Sequence, residues 1–339
     1  MASQNDRYYQ LARDLRISRI LNGMWQVAGA HGDINPLSAI DSMMNYHEAG
    51  FTTWDLADIY GPAEDFVGEF RRKLSKQKGE QAIAEVKALT KFVPSPSIMT
   101  RSIVEHNINV SLSRMDVKTL DLLQFHWWDY NDSNYLNVLR HLSELRDEGK
   151  IKHVGLTNFD TERMQIMADQ GLKLVSNQVQ YSIIDLRPEV KMTKFCKQHE
   201  MGLLTYGTLC GGLLSDKYLG RPEPVRSDLN TASLQKYKKM IDEWGGWSLF
   251  QELLITLDEI ANKHSVSITN VATRYILDKP TVAGVIIGVQ LGVSEHISDN
   301  SHVFGLELDG DDLDKIKAVI CKSRDLFDLI GDCGAEYRN

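Results

Sequence analysis

The sequence has few of the features that mark several large classes of protein. Its four cysteines are scattered and no pair has CxxC spacing, so neither a disulfide framework nor a cysteine metal site is predicted. No apolar run reaches the roughly 18 residues that a membrane-spanning helix needs. No block of lysine and arginine offsets the net charge of −8, which argues against a nucleic-acid partner.

The chain also lacks a linker rich in proline, glycine or serine, and its first ten residues are polar. Its length alone allows one large domain or two, and the missing linker favours one domain over residues 1–339. With no apolar leader segment, we expect a cytoplasmic protein. A hydrophobic fraction of 42% suffices for a core that needs no disulfides.

Short apolar runs alternate along the chain with amphipathic, charge-rich stretches of helical period. This alternation predicts a parallel sheet, and eight units favour a closed (β/α)8 TIM barrel. The rival is an open doubly wound sheet, which usually carries a Gly-rich phosphate loop, and no GxGxxG motif occurs here. The predicted strands are 20–23, 51–54, 86–92, 120–125, 153–156, 175–181, 203–206 and 285–288, and helices are predicted near 37–49, 63–76, 99–114, 134–148, 160–169 and 188–199.

Three segments fall outside the alternation. Residues 8–17 precede the first predicted strand, and we expect a hairpin that closes one end of the barrel. Residues 211–250, rich in glycine and proline, are predicted to form a long loop after strand 7, of the kind that serves as a lid or binding loop. Residues 310–339 begin like a helix at Asp311 and continue as an irregular tail that shapes the pocket or an interface.

Polar residues with complementary chemistry stand at the ends of predicted strands two to four, the end where barrels carry their active sites. Asp55 and Tyr60 follow the second strand, Lys91 lies in the third and His126 follows the fourth. Carbonyl reduction needs a proton donor, and a nearby lysine ammonium lowers the pKa of a tyrosine. Asp55 could keep Lys91 charged, Lys91 could tune Tyr60, and His126 could orient the carbonyl oxygen.

Each of these residues also has a purely structural interpretation. Asp55 is suited to cap the following helix, and Lys91 to lie in solvent. His126 is equally suited to a place in the core, and Tyr60 to packing with a satisfied hydroxyl. The catalytic interpretation is favoured because all four stand at the same predicted face of the barrel.

These segments resemble those of the aldo-keto reductase superfamily over nearly the whole chain. FTTWDLADIYG (51–61) is similar to the family segment with the catalytic Asp and Tyr, ALTKF (88–92) to that with the Lys, and LDLLQFHWWD (120–129) to that with the His. The resemblance implies an NADP(H)-dependent oxidoreductase that reversibly reduces an aldehyde or ketone. The catalytic residues that it implies are Asp55, Tyr60, Lys91 and His126, with Tyr60 as the proton donor.

The resemblance also implies where the cofactor binds. VGLTNF (154–159) is similar to the clamp on the nicotinamide amide, and NQVQYS (177–182) to the strand whose Gln holds the carboxamide, here Gln178. Tyr206 matches the aromatic residue on which the nicotinamide ring stacks. The cofactor-binding residues implied in this way are Gly23, Met24, Trp25, Thr157, Asn158, Gln178, Tyr206, Gly207, Leu209, Gly288, Gln290, His296, Asp299 and Asn300.

The segment after the eighth strand departs from the family pattern. Family members often carry two basic residues there, which bind the adenosine 2′-phosphate, whereas this chain has Gln290 and His296. A glutamine cannot pair with a phosphate as arginine does. Lys217 or Arg221 in the long loop are alternative sources of charge. NADP(H) is favoured as the cofactor, with NAD(H) as the alternative.

The substrate is predicted to be a small carbonyl compound in a pocket walled by Trp25, Trp127 and Trp128, which flank strand ends one and four. The rival for these tryptophans is packing at the barrel rim. Two other functions stay open. One is a cofactor-binding partner protein with little turnover, like the potassium-channel β subunits, and the other is an aldolase that forms a Schiff base on Lys91.

Overall fold

The computed structural model describes residues 4–29, 34–95 and 97–338. The short helix α1 (Gln4–Arg7) leads into an antiparallel hairpin of β1 (Tyr8–Ala12) and β2 (Leu15–Ser18). The hairpin places Leu11, Leu15 and Ile17 in one buried cluster with leucines from the barrel interior. The predicted hairpin is therefore confirmed, and it closes the end of the barrel at which the parallel strands begin.

Eight parallel strands follow, and their order is that of a closed barrel. They are β3 (Ile20–Gly23), β4 (Thr53–Asp55), β5 (Lys87–Phe92), β6 (Leu120–Phe125), β7 (Ile151–Thr157), β8 (Ser176–Gln180), β9 (Gly202–Tyr206) and β10 (Val282–Gly288). Strand β10 pairs with β3, so that Gly288 lies opposite Gly23 and the sheet closes on itself. The predicted (β/α)8 barrel is confirmed.

Helices surround the barrel and cover the outer face of its strands. Several begin at side-chain caps, as where Asn35 accepts a hydrogen bond from the Ser38 N–H (3.1 Å) ahead of Pro36. The helices are α2 (Pro36–Glu48), α3 (Ala63–Lys78), α4 (Glu80–Glu85), α5 (Arg101–Arg114), α6 (Tyr135–Asp147), α7 (Thr161–Asp169), α8 (Met192–Gln198), α9 (Ala232–Trp244), α10 (Gly246–His264), α11 (Ile268–Leu277), α12 (Ile297–Ser301), α13 (Gly310–Ile320) and α14 (Leu326–Ile330). In the described part of the chain, none of them is long and apolar enough to cross a membrane.

The connection after β9 is long, as predicted, but its second half is helical rather than a loop. Three short 3-10 turns lead into α9, which ends just before Gly245, and α10 begins at Gly246. The buried residues of α9 include Tyr237, Ile241 and Trp244, which recur at the spacing of one helix face. The glycines and prolines that predicted a loop lie in the turns before this helix and at its end.

The C-terminal tail, residues 332–338, lies across the ends of β6, β7 and β9. The fully buried Arg187 donates hydrogen bonds to Asp185 and to the Glu336 carboxylate (2.9 Å). Gly334 has a φ of +88°, and a Cβ there would lie 2.1 Å from the Asn158 carbonyl oxygen. The tail is thus fixed against the end of the barrel at which the parallel strands terminate, where only glycine fits its closest approach.

Candidate active site

The parallel strands bring the predicted catalytic residues to one rim of the barrel. Asp55 ends β4, Lys91 is the penultimate residue of β5, and His126 follows β6 directly. Thr157 ends β7 and Tyr206 ends β9. Because parallel strands share one direction, their carboxyl ends meet, and these side chains face a common centre.

Asp55 and Lys91 form a buried ion pair at the base of this site. The Lys91 Nζ lies 2.7 Å from Asp55 Oδ2 and also donates to the Leu56 carbonyl (3.0 Å), and both side chains are 5% exposed. Burial lowers the pKa of Lys91, and the Asp55 charge opposes that shift. Asp55 does not cap the next helix, because α3 has Pro62 at its N-cap.

Two glutamines hold the other oxygen of the Asp55 carboxylate. Gln124 and Gln178 donate to Asp55 Oδ1 from their Nε2 atoms, at 3.0 and 2.6 Å. The two amides also bond to each other, with 2.7 Å between Gln178 Nε2 and Gln124 Oε1. Gln124 was not among the predicted residues, although a polar residue two positions before His126 shares its strand face and was a usable signal.

Tyr60 lies above the ion pair but does not receive a hydrogen bond from it. The Lys91 Nζ lies 4.9 Å from the centre of the Tyr60 ring, and Trp25 packs edge-on against that ring at 5.0 Å. Burial raises the pKa of Tyr60 well above its ordinary value, and Asp55 adds to the shift. The predicted lowering of the Tyr60 pKa by Lys91 is not found. The Lys91 ammonium faces the Tyr60 ring and pairs with the Asp55 carboxylate instead of binding the Tyr60 hydroxyl.

Among the described residues, His126 is buried with one ring nitrogen engaged and the other without a hydrogen-bond partner. Its Nδ1 lies 3.2 Å from the Thr157 carbonyl oxygen, which can only accept, so Nδ1 carries a hydrogen. Burial lowers the pKa of His126 to about 4, and the nearby Arg338 charge adds to that shift. At neutral pH the ring is uncharged, and its Nε2 is an unpaired hydrogen-bond acceptor.

This titration predicts a pH dependence of stability. We expect His126 to lower the free energy of unfolding as the pH decreases from about 6.5 towards 4, because it gains a proton in the unfolded chain but not in the folded one. Asp58, whose pKa burial raises to about 6, acts in the opposite direction over part of this range, so the contribution of His126 is the difference in slope between wild type and His126→Gln. Urea denaturation across this range checks the expectation, with His126→Gln losing part of the slope. His47, also buried with a lowered pKa, acts in the same direction, so His47→Gln is the comparison. An unchanged slope in His126→Gln would contradict the assignment.

The residues predicted to clamp the nicotinamide amide lie side by side. The Asn158 N–H donates to the Gln178 carbonyl (2.8 Å), and the Tyr206 hydroxyl donates to Asn158 Oδ1 (2.7 Å). Thr157 turns its hydroxyl to the same Gln178 carbonyl (3.3 Å). Within the described chain, Asn158 Nδ2 and Gln178 Oε1 have no hydrogen-bond partner. One donor and one acceptor are therefore free, which is the complement of a carboxamide.

Several of the predicted cofactor-binding residues at β3, β9 and β10 lie against neighbouring side chains or are buried. Met24 is fully buried, and its N–H donates to the Asp55 carbonyl (2.9 Å), so this N–H does not point to a ligand. Gly288 lies against Gln26, whose amide nitrogen would be 2.0 Å from an added Cβ. Gly207, with a φ of +71°, lies against the Tyr237 hydroxyl, and the neighbouring Leu209 is half-buried.

In the segment predicted to contact the adenosine end of the cofactor, some polar side chains are engaged within the protein and others are exposed. The Asp299 carboxylate accepts hydrogen bonds from two hydroxyls and an amide at the start of α11 (3.1–3.3 Å), so it is engaged inside the protein. Asn300 is buried, whereas Gln290 and His296 are exposed. The side chains of residues 284–300 include no lysine or arginine.

The three tryptophans predicted to wall the substrate pocket differ in exposure and surroundings. Trp25 and Trp128 are 39% and 38% exposed, whereas Trp127 is buried with its Nε1 bonded to the Asp132 carbonyl (2.9 Å). Trp128 packs edge-on against His126, with 4.4 Å between ring centres. Trp127 and Trp128 also line a cavity of about 540 Å³ together with Pro94. Trp127 thus lies buried in the wall of this cavity, whereas Trp25 and Trp128 are partly exposed.

The site also contains residues that the sequence did not reveal. Tyr337 of the C-terminal tail places its hydroxyl 3.0 Å from that of Tyr206 and 2.6 Å from Lys236 Nζ. Arg338 donates to the carbonyls of Trp127 and Asn158 and lies over the Tyr130 ring at 3.9 Å. No motif pointed to them, because they come from a terminal tail and from a segment that was predicted to be a loop.

Comparison with known proteins is consistent with this geometry. The model of the aldo/keto reductase family matches residues 19–320. Flagellar radial spoke protein 5 of Chlamydomonas reinhardtii is 27% identical over 66% of this chain, and the match spans only 49% of that protein. The NADH-specific methylglyoxal reductase of Escherichia coli is 22% identical, over 87% of this chain and 92% of its own length.

Solved structures share the fold at low sequence identity. The glycerol dehydrogenase of Gluconobacter oxydans aligns with a TM-score of 0.77 and 21% identity, covering 94% of this chain and 96% of its own. An aldo/keto reductase from Klebsiella pneumoniae, solved with NADP and acetate, aligns with a TM-score of 0.69 and 20% identity, covering 93% and 95%. The barrel is thus the shared feature of these proteins.

Proposed function

The chain belongs to the aldo/keto reductase family, and we propose that it reduces an aldehyde or ketone to the alcohol, reversibly, with a nicotinamide dinucleotide as cofactor. The observation that carries the proposal is the buried Asp55–Lys91 ion pair (2.7 Å) beneath Tyr60, beside His126 Nε2, which has no partner in the part of the chain that the structure describes. A buried ion pair contributes little to stability, so a catalytic site is the better reason for its presence.

The free atoms of the clamp support a nicotinamide at this place. Asn158 Nδ2 is suited to donate to a carboxamide oxygen, and Gln178 Oε1 to accept from a carboxamide N–H. Tyr206 is half-buried at the end of β9, and its ring offers a stacking surface. Thr157, through the Gln178 carbonyl, helps to keep the two amides in place.

In the proposed mechanism, the bound reduced nicotinamide supplies the hydride that the carbonyl carbon takes up. Tyr60 keeps its proton until the substrate oxygen develops negative charge, because burial and Asp55 disfavour the tyrosinate. Tyr60 then donates that proton to the oxygen, and the Asp55–Lys91 ion pair, with Lys91 Nζ 4.9 Å from the centre of the Tyr60 ring, positions that ring. His126 Nε2 accepts a hydrogen bond from the alcohol hydroxyl so formed, since the neutral ring has its hydrogen on Nδ1.

The experiment that tests the proposal is consumption of NADPH or NADH with a panel of aldehydes, followed at 340 nm. We expect oxidation of the cofactor with 4-nitrobenzaldehyde or a similar probe. Cofactor binding without turnover on any carbonyl would instead favour a partner protein of the potassium-channel β type. A covalent adduct on Lys91 after borohydride treatment with a carbonyl compound would favour an aldolase.

We propose NADP(H) as the cofactor, with NAD(H) as a close competitor. The Klebsiella pneumoniae protein was solved with NADP, whereas the Escherichia coli relative is NADH-specific. Because residues 284–300 offer no lysine or arginine to a 2′-phosphate, we expect the dissociation constants of NADPH and NADH to differ by no more than about tenfold. Quenching of tryptophan fluorescence measures both constants. A preference for NADPH of several hundredfold would mean that another cation, such as Lys217 or Arg221, reaches the phosphate.

A further inference from the structure

Lys236 of α9 extends over the Tyr206 ring at the mouth of the site. Its Nζ lies 5.2 Å from the centre of the Tyr206 ring and 5.4 and 4.4 Å from those of Tyr237 and Tyr337. It also lies 2.6 Å from the Tyr337 hydroxyl. Three aromatic rings and one phenol oxygen thus surround the ammonium, an environment that attracts cations.

No carboxylate in the described part of the chain forms an ion pair with Lys236. Glu336 is close enough for its pKa to be lowered in part by Lys236, but its carboxylate is bound by Arg187 at 2.9 Å. The neighbouring lysines of α9 differ in this respect, since Lys238 pairs with Asp242 (2.6 Å). Lys236 therefore carries a positive charge into the site that no direct partner neutralises.

We propose that Lys236 makes the site discriminate between the two oxidation states of the cofactor, favouring the reduced over the oxidised form. The inference rests on the proposed function, in which the nicotinamide stacks on Tyr206. The reduced nicotinamide ring is neutral, whereas the oxidised ring is a cation. The oxidised ring is therefore repelled by the Lys236 ammonium, which lies over the same face of Tyr206 and carries the same positive charge.

The distance between Lys236 and the proposed nicotinamide position sets the size of the difference in affinity between the oxidised and reduced cofactors. Rings that stack on an aromatic residue have centres about 4.5–7 Å away, so the ammonium and the oxidised ring both lie within about 7 Å of the Tyr206 centre. Displacing Lys236 from the Tyr206 ring weakens the binding of both forms of the cofactor equally. The repulsion between the displaced ammonium and the cationic ring acts on the oxidised form alone. At a half-exposed position, this repulsion changes the ratio of the two dissociation constants by about tenfold.

The test is to measure the dissociation constants of the oxidised and reduced cofactors by quenching of tryptophan fluorescence, for NADP⁺ and NADPH and for NAD⁺ and NADH. In Lys236→Met the ratio of oxidised to reduced constants should fall about tenfold relative to wild type. Lys236→Arg should keep the wild-type ratio, because it keeps the charge. Lys239→Met is the matched control: it removes an equal charge from the same helix at a side chain that is 79% exposed.

The outcomes separate this inference from the proposed function. A Lys236→Met ratio within about twofold of wild type, with both nucleotides bound, overturns the inference alone. Failure of the wild-type protein to bind any of the four nucleotides overturns the proposed function and the inference with it. Raising the salt concentration should lower the wild-type ratio through screening, and an unchanged ratio there contradicts the inference even where Lys236→Met does not fold.

Discussion

Replacing Tyr60 with phenylalanine is expected to slow carbonyl reduction by about 10²–10⁴-fold, the contribution that general acid catalysis commonly makes. The substitution removes the only proposed proton donor and keeps the ring that packs against Trp25 at 5.0 Å. Cofactor affinity should stay within about threefold of wild type, because Tyr60 is not one of the proposed clamp residues. Steady-state rates at saturating cofactor, together with fluorescence titration, measure the two quantities.

The matched control is Tyr275→Phe, which removes a phenol hydroxyl on α11 whose partner is Lys279 (3.1 Å). This variant should retain the wild-type rate. A Tyr60→Phe protein that turns over at more than about a tenth of the wild-type rate would mean that another group protonates the substrate oxygen. The Tyr337 hydroxyl, 2.6 Å from Lys236, would then be the first group to examine.

Replacing Lys91 with methionine is expected to lower the free energy of unfolding by about 3–5 kcal/mol, because it leaves the buried Asp55 carboxylate without its counter-charge. Gln124 and Gln178 still donate to Asp55 Oδ1, at 3.0 and 2.6 Å, but they carry no charge. Such a loss is a large part of the 5–15 kcal/mol that typically stabilises a folded protein. Urea denaturation measures the change.

The double variant Asp55→Asn, Lys91→Met supplies the control for this prediction. It removes both charges, so its loss of stability should be smaller than the sum of the two single losses. Additive losses would show that the two side chains do not interact strongly, in conflict with their 2.7 Å separation. Both single variants should also lose activity, because the ion pair lies beneath Tyr60 and its loss disturbs the position of the proposed proton donor.

Much of the architecture followed from periodicity in the sequence. Buried strands alternate with amphipathic helices, and this pattern reflects the burial of one face of every element in the barrel. The strand ends then placed Asp55, Lys91 and His126 at one rim, since parallel strands end together. The hairpin before β3 was also predictable, because its leucines needed a buried surface and the open end of the barrel offers one.

The remaining features depend on contacts that no local pattern encodes. Helix α9 follows a run of glycines and prolines, and its apolar residues are stabilised by packing on the barrel. The positions of Lys236 and Tyr337 depend on two chain segments that are 101 residues apart in sequence. The pKa of Tyr60 depends on the direction in which Lys91 points, which only the three-dimensional arrangement defines.

The central claim is that this barrel transfers a hydride from a nicotinamide cofactor to a carbonyl carbon, and isotope transfer tests it most directly. NADPH carrying deuterium at both positions of C4 would be incubated with the protein and an aldehyde, and the alcohol analysed by mass spectrometry. The account predicts one deuterium atom, bound to carbon, in each molecule of alcohol formed. An alcohol without deuterium, or no alcohol although the cofactor binds, would contradict it.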